Sequence, residues 1–128
     1  MKLKVIHTEN APAAIGPYSQ AIAHAGTLYI SGQIPFDPKT GALVSEDVVL
    51  QTKQCIENAK AIAQSAGATL NDVIKTTVFV RNMDEFGKIN EIYGHYFTDH
   101  KPARACVEVS RLPKDVKVEI EMIVSLQD

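Results

Sequence analysis

An arginine, a cysteine and two glutamates stand near the end of this chain at spacings that suit anion binding and proton transfer. Arg104 and Cys106 are two residues apart, and so are Glu119 and Glu121. Side chains alternate across a strand, so each pair shares one face of a sheet. A guanidinium fork grips a carboxylate through two parallel hydrogen bonds, and a glutamate can take up and return a proton. These are the parts of a site that holds an anionic substrate and activates water beside it.

Other chemistries find little support. His7, His24, His95 and His100 show no HExxH or other ligand spacing, so no metal is expected. Neither a GxGxxG nor a P-loop pattern occurs, so no nucleotide cofactor is implied. Cys55 and Cys106 form no CxxC pair, which argues against a disulfide framework and structural zinc and fits a reduced, cytoplasmic setting. The formal net charge is −2 with no polybasic run, so the footprint of a nucleic-acid binder is missing. The first fifteen residues contain Glu9, Asn10 and Pro12 and do not read as a signal peptide. No apolar run approaches the length of a membrane span.

The elements that must position these residues can be read from periodicity. A chain of 128 residues suits one domain, here taken as 1–128. Residues 2–7 alternate as a short first strand. Ala21 to Ala25 and Leu28 to Ser31 flank Gly26 as a hairpin. Residues 35–41 are dense in turn formers. Ser45 is the expected cap of a first helix, with Cys55, Ile56, Ala59, Ile62, Ala63 and Ala66 as its apolar stripe and Gly67 at its end. Val73 to Val80 is rich in β-branched residues and reads as a strand. Asn82 and Glu85 resemble a capping box opening a second helix, which presents Phe86, Ile89, Tyr93, Tyr96 and Phe97. Residues 103–110 and 116–126 complete the set as strands. The expected layout is α+β, with both helices on one face of the sheet.

Parity assigns the faces. Val116, Val118, Ile120, Met122 and Val124 form the face that the helices should cover, with Ala105, Val107 and Val109 as the core set of the preceding strand. Arg104, Cys106, Glu119, Glu121 and Ile123 then share the opposite face. That face is either solvated, the default for charges, or covered by another subunit to form a cleft of opposed charges. Asn90 lies on the apolar stripe of the second helix, where a lone polar residue is ordinarily hydrogen-bonded in the core.

Three segments carry a resemblance. Asn10-Ala11-Pro12-Ala13-Ala14-Ile15-Gly16-Pro17-Tyr18-Ser19-Gln20, Ser31-Gly32-Gln33-Ile34-Pro35, and the block running from Pro102 through Arg104 and Arg111-Leu112-Pro113-Lys114-Asp115 to Val118-Glu119-Ile120-Glu121 resemble the motifs of the Rid (reactive intermediate deaminase) family, in its RidA subgroup, in their family order. The resemblance implies a chorismate-mutase-like fold: a six-stranded mixed sheet with the last strand inserted in its centre and two helices on one face. It implies a homotrimer with a site in each cleft between subunits.

The activity implied is hydrolysis of 2-aminoacrylate, 2-iminopropanoate and 2-iminobutanoate to 2-keto acids and ammonia, without a cofactor. The resemblance assigns Arg104 as the carboxylate clamp and Glu119 as general base or proton shuttle. Gly32 would let a backbone N–H approach the substrate, and Tyr18 would close the pocket or donate a hydrogen bond. Cys106 would line the pocket through its backbone and not act as a nucleophile. Asn90 falls on a family position near the site. The alternatives are a module that binds 2-keto acids without turnover and an RNA-directed activity, the latter opposed by the acidic balance.

Overall fold

The computed structural model describes residues 2–126. Strands β1 (Lys4–Ile6), β2 (Ala21–His24) and β3 (Thr27–Gln33) precede helix α1 (Val48–Ser65). Strand β4 (Val73–Val80), helix α2 (Phe86–Tyr96) and strands β5 (Ala103–Glu108) and β6 (Val118–Ser125) follow. They form one six-stranded mixed sheet in the order β1-β2-β3-β6-β4-β5. Strand β6 is inserted between β3 and β4, as the resemblance implied. Only β4 and β5 run parallel. No helix among the described residues is long and apolar enough to cross a membrane.

The β2–β3 hairpin closes through Ala25 (φ 52°) and Gly26 (φ 82°). Two successive positive φ values match the right-handed twist of the flanking strands. The α1 stripe is buried as its period requires: Cys55, Ile56, Ala59, Ile62 and Ala63 are fully buried against the sheet. They meet Leu28, Ile30, Val73, Val78, Val80, Val118, Ile120, Met122 and Val124. Each such aliphatic side chain contributes about 1.5–3 kcal/mol relative to exposure.

The helix starts differ from expectation. Asp47, not Ser45, caps α1: its carboxylate accepts the Val49 N–H at 2.9 Å, while Ser45 Oγ accepts the Asp47 N–H one step earlier. Asn82 caps a single 3₁₀ turn (Met83–Glu85) by accepting the Asp84 N–H, and α2 begins only at Phe86. The capping box is not formed. A carboxylate from another element satisfies this turn instead, since Glu108 Oε1 accepts the Met83 N–H at 2.8 Å.

The face assignment of β5 is corrected. Arg104 pairs with Thr76, Cys106 with Val78 and Glu108 with Val80. Those β4 residues are buried beneath the helices, so Arg104, Cys106 and Glu108 lie on the helix-covered face. Ala105 and Val107 lie on the open face, where Val107 is 42% exposed. Apolar residues mark the core where a strand is covered. At this free edge they mark a surface that the protomer leaves uncovered. On β6 parity holds: Val118, Ile120, Met122 and Val124 are buried, as is Val116 just before it, and Glu119, Glu121 and Ile123 face the open side.

Two buried side chains tie loops to this frame. Asn58 donates to both Ile34 O and Phe36 O at 3.1 Å, fixing the exit from β3. Gln51 donates to Ser45 O and accepts the Lys117 N–H, joining the start of α1 to the approach of β6.

Candidate active site

The predicted residues fall into two groups, and the sheet stands between them. The first group surrounds Arg104. Phe86, Asn90 and Tyr93 recur at helical spacing on one face of α2, and all three meet its guanidinium. Asn90 Oδ1 accepts from Nη1 at 2.7 Å. The guanidinium carbon lies 4.7 Å from the centroid of Tyr93 and 5.3 Å from that of Phe86. A planar, weakly hydrated cation suits such stacking. Tyr93 is held in turn by a hydroxyl–hydroxyl bond to buried Thr76 at 2.8 Å. Burial pushes the Tyr93 phenol up, with the Thr76 bond and the Arg104 charge drawing it partly back. Arg104 is thus oriented with most of its five donors unspent.

Cys106 belongs to this group. Its half-buried side chain packs under α2, and burial pushes the thiol up against the pull of Arg104. A neutral thiol is a poor nucleophile, in keeping with a non-covalent role. Val109 donates its N–H to Val80 O at 2.8 Å. The two-residue repeat of the ladder therefore turns the N–H groups of Arg104 and Cys106 toward the free edge of β5.

The second group surrounds Glu119 on the open face. Between the pairs Ile30–Met122 and Gln33–Ile120, β3 carries one residue more than β6. This bulge at Ser31–Gly32 brings the backbone over Glu119. A Cβ built on Gly32 would overlap Glu119 Oε2 and lie 2.8 Å from its Cδ. The carboxylate occupies the space that a side chain at this position would fill, so a larger residue there would displace it.

The same bulge anchors the loop bearing Tyr18. Ser31 Oγ donates to Ser19 O at 2.6 Å, and the Ser31 N–H donates to Gln20 O at 2.9 Å. Tyr18 itself is 54% exposed. Desolvation raises the Glu119 carboxyl above its ordinary range, and the neighbouring Glu121 charge adds to the rise. A carboxyl poised nearer neutrality is better matched to passing a proton.

Within one protomer the groups do not meet. Strands β6 and β5 flank β4, about 10 Å apart at the usual strand spacing, and Glu119 and Arg104 point to opposite faces. The sequence reading put them on one face and missed Phe86 and Tyr93 as partners of Arg104. The spacing of Phe86, Asn90 and Tyr93 was visible, but its target, on another strand, was not.

The family model described as Endoribonuclease L-PSP matches residues 8–126. A Rid protein family structure from Yersinia pestis superposes with a TM-score of 0.96 at 49% identity, covering 98% of this chain and 100% of that one. The chain belongs to the Rid family. The Salmonella typhimurium protein named 2-iminobutanoate/2-iminopropanoate deaminase is 56% identical to this Rid chain over 123 residues, 94% of this chain and 95% of its own. The crystal structure of Escherichia coli TdcF with bound serine is 46% identical, with a TM-score of 0.92 and coverage of 97% and 99%. The Rid fold of the present chain therefore extends over almost its entire length.

Proposed function

We propose that this chain is a 2-iminobutanoate/2-iminopropanoate deaminase whose sites form where the Arg104 group of one subunit meets the Glu119 group of the next. The observation that carries this reading is the split itself. A carboxylate clamp and a proton-transfer group lie on opposite faces, and the Glu119 face is lined by apolar residues. Val5, Tyr29 and Val107 are 64%, 49% and 42% exposed there. Apolar surface of that kind favours a partner. The two surfaces differ, so their contact is heterologous and closes as a ring. Three members is the number that the resemblance implies.

The chemistry follows from the groups. 2-Aminoacrylate tautomerises to 2-iminopropanoate, which carries a carboxylate beside an electrophilic carbon. Arg104 and the outward N–H of Cys106 hold the carboxylate, with Asn90, Phe86 and Tyr93 fixing the guanidinium. Glu119 takes a proton from water as the oxygen bonds to the imine carbon and passes it to the imine nitrogen, giving the carbinolamine. Glu119 then takes the hydroxyl proton and delivers it to the nitrogen as the C–N bond breaks and the C=O bond forms, so that pyruvate and ammonia leave with both protons of the water on nitrogen. Tyr18, on the loop that Ser31 anchors, is the residue that the resemblance assigns to closing the pocket or donating a hydrogen bond. The substrate arrives already oxidised at the reacting carbon, so water is the only co-reactant. Two free cysteines fit action in a reducing cytoplasm.

The direct test generates 2-aminoacrylate from serine with a dehydratase and follows pyruvate. Faster release with the protein present is the expected result; an unchanged rate with a folded oligomer rejects the reading in favour of a keto-acid sensor. Sedimentation equilibrium at micromolar concentration is expected to give three times the 14.0 kDa chain mass. A monomer mass would remove the basis for a shared site.

The pH profile gives a further check. Glu119 acts as a base only when ionised, so kcat/KM falls as pH drops through its raised pKa. Glu121→Gln removes the like charge that contributes to the rise. The acid limb of kcat/KM is then expected to move to lower pH. A limb that stays in place would assign it to another group.

A further inference from the structure

Besides the Asn90–Arg104 contact, helix α2 and the turn before it are tied to other elements at their start, middle and end. Glu108 on β5 accepts the Met83 N–H at the start. Tyr96 donates to Glu57 of α1 at 2.6 Å at the end. In the middle, the Tyr93 hydroxyl meets Thr76 Oγ1 on β4 at 2.8 Å. The middle tie shares its ring with Arg104, whose guanidinium carbon lies 4.7 Å from the Tyr93 centroid.

Thr76 is the exception in its row. The other buried residues of β4 are Val73, Val78 and Val80. A valine at 76 would fill nearly the same space with no polar atom to satisfy, whereas a buried hydroxyl needs a partner. Thr76 also stands beside Arg104 in the β4–β5 register. Neighbouring strands are about 4.8 Å apart, so one tyrosine can set its hydroxyl on Thr76 and its face on the guanidinium. The ring is then held at both ends, by its Cβ on α2 and its hydroxyl on β4. Phe97 packs against the same ring, with centroids 4.7 Å apart.

We infer that Thr76 is a positioning residue for Arg104, acting through the Tyr93 ring to hold the guanidinium in the plane that grips the substrate carboxylate. The inference rests on the deaminase reading and extends it to a buried residue that touches no substrate. Without the hydroxyl bond the ring is free to tilt about its Cβ, and the planar cation stacked on it tilts as well. A bidentate grip depends on that plane.

The test combines pyruvate calorimetry with the coupled 2-aminoacrylate assay on the assembled protein. Thr76→Val keeps the shape and removes the hydroxyl. It is expected to weaken pyruvate binding and lower kcat/KM by roughly three- to tenfold, the strength of one neutral hydrogen bond, with kcat nearly unchanged. Thr76→Ser keeps the hydroxyl and is expected to restore both values. Tyr96→Phe breaks the tie to Glu57 on the same helix, and is expected to lower the melting temperature without weakening pyruvate binding. Beside Arg104→Lys there is no planar fork to orient, so Thr76→Val is expected to lower kcat/KM little further. Where Thr76→Val does not fold, Tyr93→Phe removes the same bond from its other end and carries the same expectation. Parent-like pyruvate affinity in the folded variant, an equal loss in Tyr96→Phe, or an undiminished effect beside Arg104→Lys overturns the inference. A parent that binds pyruvate but hydrolyses no imine rejects the deaminase reading alone, since calorimetry still reports on Thr76. A parent with neither property overturns both.

Discussion

Glu119→Gln is expected to lower imine hydrolysis by roughly 10²–10⁴-fold, the usual range for a general acid–base group, while pyruvate still binds. Gln keeps the shape that fits beneath Gly32 and can still hydrogen-bond, but it accepts no proton. In the proposed site pyruvate is held through Arg104 and the free edge of β5, so its affinity is expected to survive. It can rise slightly, because one negative charge near an anionic ligand is gone.

Stability separates this loss from misfolding. The folded-state pKa of Glu119 is raised, so the native chain binds that proton more tightly than the unfolded one. The group's contribution to stability is present at low pH and is lost as pH rises through the raised value. Glu119→Gln has no such loss and is expected to melt no lower than the parent at neutral pH. The decisive measurement pairs the coupled assay with calorimetry on pyruvate. Turnover equal to the parent's would take Glu119 out of the reaction.

Arg104→Lys is expected to lower kcat/KM by roughly ten- to a hundredfold, the worth of one charge-assisted hydrogen bond. An ammonium retains the charge but not the fork. It also loses the planar surface that lies over Tyr93 and Phe86, and with it the orientation that Asn90 sets. The side chain is exposed at a strand edge, so folding is expected to be unaffected. Initial rates at limiting 2-aminoacrylate check this. Unchanged rates would mean that the substrate carboxylate is held elsewhere.

The sequence by itself determined the elements and the chemistry on offer. Periodicity located both helices and all six strands, because local hydrophobic pattern reports directly on which side of an element is buried. The motif resemblance singled out Arg104 and Glu119 before any geometry was known. It also implied the central place of β6, which no local pattern encodes. Helix starts were less legible. Ser45 and the Asn82–Glu85 pair have the right residue types, but the bond that satisfies Met83 comes from Glu108, 25 residues away.

The tertiary structure alone decided the faces of β5. Apolar alternation in Ala105 and Val107 looks the same whether that face lies under the helices or on the open side of the sheet. Only the register Thr76–Arg104 and Val78–Cys106 distinguishes the two. It also placed Gly32 against Glu119, since the bulge on β3 brings its backbone to where the carboxylate on β6 fills the space of a Cβ. The aromatic seat of Arg104 likewise joins α2 to β5. Sequence patterns report burial along a segment, whereas these contacts depend on pairings between segments far apart in the chain.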